Sequence, residues 1–214
     1  YLPEALVNYL VRLGWSHGDQ EIFSIHELID LFSLASVGKS AAIFNPEKLL
    51  WLNQHYIKEC PSDRLVEDMK PFWAARGFDV SDPDYLRQVV ENLRARSKTL
   101  VEMADSGAFY FQDKVDYDPE AAGKFLTADM KEHLLAVADR LPSCGEYSKA
   151  GMEVFLREVA EGRGVKLKVI AQPLRVALTG KSVSPGVDEV MLTLGKDRVT
   201  RRIHQAVQFM ISGG

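Results

Sequence analysis

An all-α fold is predicted from three features of the sequence. Apolar residues recur at helical spacing along most of its 214 positions, and Asx-Pro and Ser-x-x-Glu pairs stand where helices would begin. No run of four to eight β-branched residues with period 2 interrupts them, and neither a fixed-period repeat nor a low-complexity tract is visible.

The elements follow in order. Leu6, Tyr9, Leu10 and Leu13 form an i, i+3, i+4, i+7 stripe, which predicts a first amphipathic helix ending near Gly14. Ser24 and Glu27 form a capping box for a second, carrying Leu28, Ile29, Leu31 and Phe32. Residues 33–44 read as a loop. Asn45-Pro46 is an Asx cap with Pro at the first helical position, and Leu49, Leu52 and Tyr56 line one face beyond it. Pro61-Ser62-Asp63 is expected to end that helix and cap the next, which carries Leu65, Met69 and Phe72. Asp82-Pro83 starts a helix with Leu86, Val89, Val90 and Leu93 on one face, and a short helix follows around 99–103. The aromatic cluster Phe109, Tyr110 and Phe111 leads into a polar stretch, 112–119. Thr127 caps a helix with Met130, Leu134, Leu135 and Val137, and the last third predicts helices near 148–161, 166–179, 185–194 and 196–211. In the last part, QPLRVALTGKSVSPG (172–186) reads as a Pro-led apolar helix, a Gly-rich turn and a new helix opening at Ser184-Pro185. Breaks between domains are expected near Pro61 and around Pro142–Gly145.

With 46% apolar residues the chain can build a real core, and no apolar run approaches the roughly 18 residues of a membrane span. Nothing at the start reads as a signal peptide, and opening on Tyr1 rather than Met is expected of an excised fragment or a processed chain. Cys60 and Cys144 stand far apart and outside any CxxC or Cys/His cluster, the pattern of two reduced structural thiols in a cytosolic protein. The net charge of −4 argues against bulk electrostatic binding of nucleic acid. Residues 163–202 are the exception, with nine basic residues against three acidic ones; such a segment is either a phosphate-facing surface or a solvated helix face.

Self-contained catalysis is not expected. Gly38-Lys39-Ser40 and Gly180-Lys181-Ser182 imitate the end of a P-loop, but the required earlier glycine is replaced by Ser33 and Arg175. Gly180 instead suits a helix C-terminus with Lys181 in the turn after it. The five histidines form no HExxH or Ser/His/Asp arrangement, no paired-carboxylate site stands out, and no metal is called for.

QPLRVALTGKSVSPG, with YLPEALVNYLVRLGW (1–15) and KLLWLNQHYI (48–57), closely resembles the C-terminal half of bacterial glutamyl-tRNA synthetases, in order along essentially the whole chain. The resemblance implies a stem-contact-like helical module, 1–60, followed by an α-helical anticodon-binding region of two bundles, 61–141 and 142–214. It implies a parent glutamate–tRNA ligase that activates glutamate with ATP and transfers it to tRNA. ATP and Mg would sit in the catalytic domain, whose HIGH-type and KMSKS-type motifs are absent from this sequence. This chain alone is then expected to be inactive and to need no cofactor. Its implied partners are tRNA(Glu) and its own catalytic domain, in a cytoplasmic monomer without membrane attachment. An apolar patch is expected near the N-terminal helix, where that domain would sit.

Five residues are implied as anticodon-binding. Arg96, in ENLRARSKTL (91–100), matches the reader of the third anticodon base, and its presence resembles the pattern of enzymes that refuse tRNA(Gln). If the helix persists that far, Arg96 lies roughly 70° from the centre of the apolar stripe, flanking the core. Arg175 is implied to approach the first or second base, and Ser184, Pro185 and Val187 to open a helix toward the loop. Arg94 and Lys181 are candidates for phosphate contacts. Taken without the resemblance, Arg96 reads first as a salt-bridging helix-end residue, Arg175 reads equally as a solvated one, and Ser184 can simply cap the helix. The sister glutaminyl family uses β-barrels for the anticodon, and no strand-rich segment is present to match them. The rival reading from another class is a helical protein-interaction scaffold with no RNA role, which suits the acidic net charge.

Overall fold

The computed structural model describes residues 1–38 and 42–212; Lys39 and Ser40 of the first false P-loop string lie outside them. Every regular element among the described residues is helical, and none is long and apolar enough to cross a membrane. The chain folds as two compact units, Tyr1–Asp105 and Ser106–Gly214. At the breaks expected near Pro61 and Pro142, Cys60 caps the end of one helix and Pro142 lies in a 3-10 turn, Leu141–Ser143.

The first unit contains α1 (Pro3–Arg12), α2 (Ile25–Leu31), α3 (Pro46–Glu59), α4 (Ser62–Ala74) and α5 (Pro83–Arg94), and α6 (Leu100–Ser106) closes it. Ser24 and Glu27 form the reciprocal capping box of α2. Asn45 and Asp82 each accept two backbone N–H bonds at the starts of α3 and α5. At α4 the expectation is corrected. Its N-cap is Pro61, which offers no side-chain acceptor, and Ser62 already lies inside the helix, donating instead to the Glu91 carboxylate.

The face of α1 differs from the predicted stripe. Leu2, Ala5, Asn8 and Tyr9 are buried, whereas Leu6 and Leu10 are 38% and 60% exposed. The polar Asn8 turns the helix inward. Its amide donates to the Glu21 carbonyl (2.9 Å), and its oxygen accepts from Phe23 N and the Tyr56 hydroxyl (2.8 Å each). A buried hub with three satisfied bonds outweighs the exposure of two leucines. In α2 only Leu28 is buried; Ile29, Leu31 and Phe32 are exposed. Thirteen of the seventeen exposed large apolar side chains among the described residues lie between Tyr1 and Trp51.

The second unit holds α7 (Pro119–Phe125), α8 (Lys131–Arg140), α9 (Lys149–Gly162), α10 (Leu167–Thr179), α11 (Val187–Leu194) and α12 (Lys196–Ser212). The most enclosed is α10, which packs against α7, α8, α9, α11 and α12 and buries residues all round from Ile170 to Thr179. Pro173 lies inside this helix rather than leading it. The sequence reading also missed α7, which starts within the expected polar stretch: Asp118 accepts from Ala121 N and Pro119 takes the first helical position. Thr127 precedes a 3-10 turn, Ala128–Met130, not α8 itself, and its side chain makes no capping hydrogen bond there.

Gly180 ends α10 in the left-handed conformation (φ 75°). It also lies against the 115–118 segment, where Asp118 N donates to its carbonyl (2.9 Å), and an added Cβ would stand 2.1 Å from the Asp116 carbonyl oxygen. Conformation and space both demand glycine here.

Candidate nucleic-acid interface

Arg96 belongs to the first unit. The last helical residue of α5 is Arg94, so Arg96 lies in the turn beyond it and the helical projection to the rim of the core does not apply. Its side chain is exposed and makes no hydrogen bond or ion pair among the described residues, so it is not the salt-bridging helix-end residue of the alternative reading. The backbone around it is held from several directions. Arg96 N donates to Leu93 O (3.0 Å) and the Ser97 hydroxyl to the same carbonyl (3.0 Å). From α3, Asn53 Nδ2 donates to Lys98 O (2.5 Å) and Gln54 Nε2 to Ala95 O (3.2 Å). Lys98 N donates to Glu102 Oε2 (2.8 Å). A fixed backbone thus presents one free guanidinium to solvent, with two edges of donors available to a planar acceptor.

Arg94, two residues earlier, is held by protein partners. Its Nη2 donates to the carbonyls of Ile57 (3.1 Å), Lys58 (2.6 Å) and Cys60, and its Nη1 to Ser62 Oγ (3.1 Å) and Glu91 (2.8 Å). It satisfies the carbonyls that α3 leaves open at its C-terminus, where a cation is also favoured by the helix dipole. These donors of Arg94, implied by the resemblance as a phosphate contact, face protein in this structure. Burial pushes the thiol of Cys60, at the same junction, above its usual range.

In the second unit Arg175, Ser184 and Pro185 come together. Arg175 Nη1 donates to Ser184 O (3.0 Å), Ser184 Oγ (2.5 Å) and Pro185 O (2.6 Å), so the half-buried arginine latches the loop between α10 and α11. Thr179 supports the other end, donating to Arg175 O (2.8 Å) and accepting from Lys181 N (3.2 Å). Ser184 is not the cap of α11 and Pro185 is not its first residue. The helix starts at Val187, and Gly186 N is satisfied by Glu189 Oε2 (3.0 Å), while the Ser184 hydroxyl is already committed to Arg175. Ser184, Pro185 and Val187 are buried beneath the loop, with Val187 in the core beside Val190 and Met191. What the loop exposes is Lys181, Ser182 and Val183, the last 72% exposed. Val183 escaped the sequence reading: Val187 and Val190 follow it at helical spacing, and only the late start of α11 at Val187 leaves it outside the helix and exposed.

The basic run 163–202 divides in two. Arg198 Nη1 donates to Tyr110 O (2.7 Å), and Lys196 Nζ lies 3.2 Å from Pro142 O and 5.5 Å from the centre of the Tyr147 ring. Arg202 is fully buried and donates to Leu178 O (2.5 Å), Phe109 O (2.5 Å) and Gln112 O (2.7 Å). Arg163, Lys166, Lys168, Lys181 and Arg201 remain at the surface. Burial pushes the Tyr147 phenol up to about 12, keeping it neutral as it donates to Met191 O (2.5 Å). No cluster of three or more His, Cys, Asp or Glu able to hold a metal occurs among the described residues.

Residues 64–207 match the family model described as anticodon binding domain, and residues 1–51 match one described as the class I (E and Q) tRNA synthetase catalytic domain. Along its full length the chain is 64% identical to glutamate–tRNA ligase 1 of Syntrophus aciditrophicus, covering 45% of that protein. It is 48% identical over 98% of its length to the glutamate–tRNA ligase of Geobacter sulfurreducens, again covering 45%. Among solved structures, the glutamate tRNA ligase of Elizabethkingia meningosepticum superposes with a TM-score of 0.88 at 27% identity, over 98% of this chain and 42% of that one. The chain thus spans slightly less than half the length of the relatives it matches.

Proposed function

From the premise that this chain belongs to the anticodon-binding domain family, we propose that it is the tRNA-recognising part of a glutamate–tRNA ligase and reads the anticodon loop of tRNA(Glu). The observation that carries the reading is the Arg96 turn: an exposed guanidinium on a backbone held by α3, α5 and Glu102. Splayed bases of a single-stranded loop are read by such groups, whose donors meet base edges and whose plane stacks. The latched 181–186 loop supplies a cation, Lys181, beside an apolar side chain, Val183, suited to a phosphate and a base face. Arg175, Ser184, Pro185 and Val187 shape that loop from below.

Residues 1–60 act in this reading as the stem-contact module, and 61–141 and 142–214 as two anticodon-binding parts. The exposed apolar residues between Tyr1 and Trp51 fall in the stretch that matches the catalytic-domain model, and they form the surface on which the rest of the parent enzyme packs. Activation of glutamate by ATP and its transfer to tRNA belong to that parent, a cytoplasmic monomer. The isolated chain catalyses neither step.

Chemical protection of tRNA(Glu) tests the proposal. The chain is expected to shield anticodon-loop nucleotides, with less protection of an unrelated tRNA. A helical interaction scaffold has no use for the Arg96 turn and predicts no protection at all; that result, or equal protection of every tRNA, would overturn the proposal.

A further inference from the structure

Asn53 and Gln54 sit side by side on α3, and each reaches the turn that carries Arg96. Asn53 is fully buried, and its carboxamide is used at both ends: Oδ1 accepts from Leu2 N (2.8 Å) while Nδ2 donates to Lys98 O (2.5 Å). Gln54 Nε2 adds the bond to Ala95 O (3.2 Å). The two carbonyls flank Arg96, one residue before it and two after. Neither is turned back into α5 or α6; their partners come from a helix more than forty residues away in sequence. A buried amide can fulfil this double role because it carries a donor and an acceptor on one rigid plane, which a carboxylate or an alkyl side chain does not. The Arg96 side chain makes no hydrogen bond or ion pair among the described residues, so its place is set by the backbone beneath it.

We infer that Asn53 and Gln54 are positioning residues for anticodon discrimination: they fix the 95–98 backbone and so aim Arg96 at the third anticodon base. The inference rests on the reading of Arg96 given above. It adds a second consequence, because the same Asn53 amide holds Leu2, within the stretch that matches the catalytic-domain model. The Arg96 turn and the start of the chain are therefore tied to one side chain.

The test compares binding of this chain to three tRNAs: native tRNA(Glu), the same tRNA with its third anticodon base changed, and one with its first base changed. Asn53→Asp keeps the acceptor for Leu2 N and places a carboxylate oxygen against Lys98 O. It is expected to lower the third-base preference about tenfold, the scale of one charged hydrogen bond misplaced, while the first-base preference stays. A merely structural role would weaken binding to all three tRNAs alike, and that outcome, or an unchanged third-base preference, overturns the inference. Gln54→Ala leaves the buried amide intact and is expected to show a smaller, equally selective loss; it carries the test if Asn53→Asp does not fold, and an unchanged preference then overturns the inference. Arg96→Ala, measured alongside, separates the two levels. If it too keeps the preference, the reading of Arg96 fails. If it abolishes the preference while Asn53→Asp and Gln54→Ala retain it, the positioning inference alone fails.

Discussion

Replacing Arg96 by alanine in the full-length ligase is expected to lower its preference for the native third anticodon base by about ten- to a hundredfold, read as the ratio of kcat/KM for native and base-changed tRNA. The magnitude follows from losing hydrogen bonds made by a charged donor to a base edge. Folding should be nearly untouched, within about 0.5 kcal/mol, because the side chain is exposed and unpartnered among the described residues. Arg96→Gln should relax discrimination toward tRNA(Gln) without abolishing binding, since an amide keeps one donor where the guanidinium offers a fork. An unchanged ratio in both variants would show that the third base is read elsewhere.

The largest effect on stability is expected at Arg202. Its guanidinium has no exposure and serves three carbonyls, Leu178 at the last turn of α10 and Phe109 and Gln112 in the segment before α7. Arg202→Met removes a buried charge, which returns some desolvation energy, but strands acceptors in a closed interior. The balance is expected to destabilise the chain by about 2–4 kcal/mol, seen as a lower urea midpoint. Arg202→Lys should recover little, because a single ammonium does not span three acceptors held around a plane. A midpoint equal to that of the parent chain would show that these carbonyls find other donors. The contact also bears on function: it joins the last turn of α10 to the chain that runs on into 115–118, and that segment closes over Gly180 at the base of the exposed loop.

Helix existence was legible because it depends on local chemistry. Asn45-Pro46, Asp82-Pro83 and the Ser24–Glu27 box all start helices, and Asp118-Pro119 carries the same signal. The last was passed over because the seven residues of α7, PEAAGKF, have too few large apolar side chains to show a stripe. Ser184-Pro185 imitates the signal and starts nothing, because Arg175 occupies the serine oxygen, a contact that only the fold reveals. The direction in which each arginine points was not legible. Arg94 and Arg96 share a tripeptide, yet the first is held by protein partners and the second is exposed, since α5 stops between them. A clue did exist for the buried polar groups. Arg202 stands in the row Val199, Arg202, Ile203, Ala206, Val207, and Asn53 in the row Leu49, Leu52, Asn53, Tyr56, Ile57. A polar residue at an apolar-stripe position marks a side chain that must find its partners inside.

Equilibrium binding across a salt series tests whether this chain reads the anticodon. Native tRNA(Glu) and its third-base variant should both bind more weakly as salt rises, because they share the phosphate contacts. The native tRNA should stay about tenfold tighter throughout, because the base contact is short-range and poorly screened. Equal affinity for the two tRNAs at every salt concentration would rule out third-base reading and leave only a non-specific RNA surface.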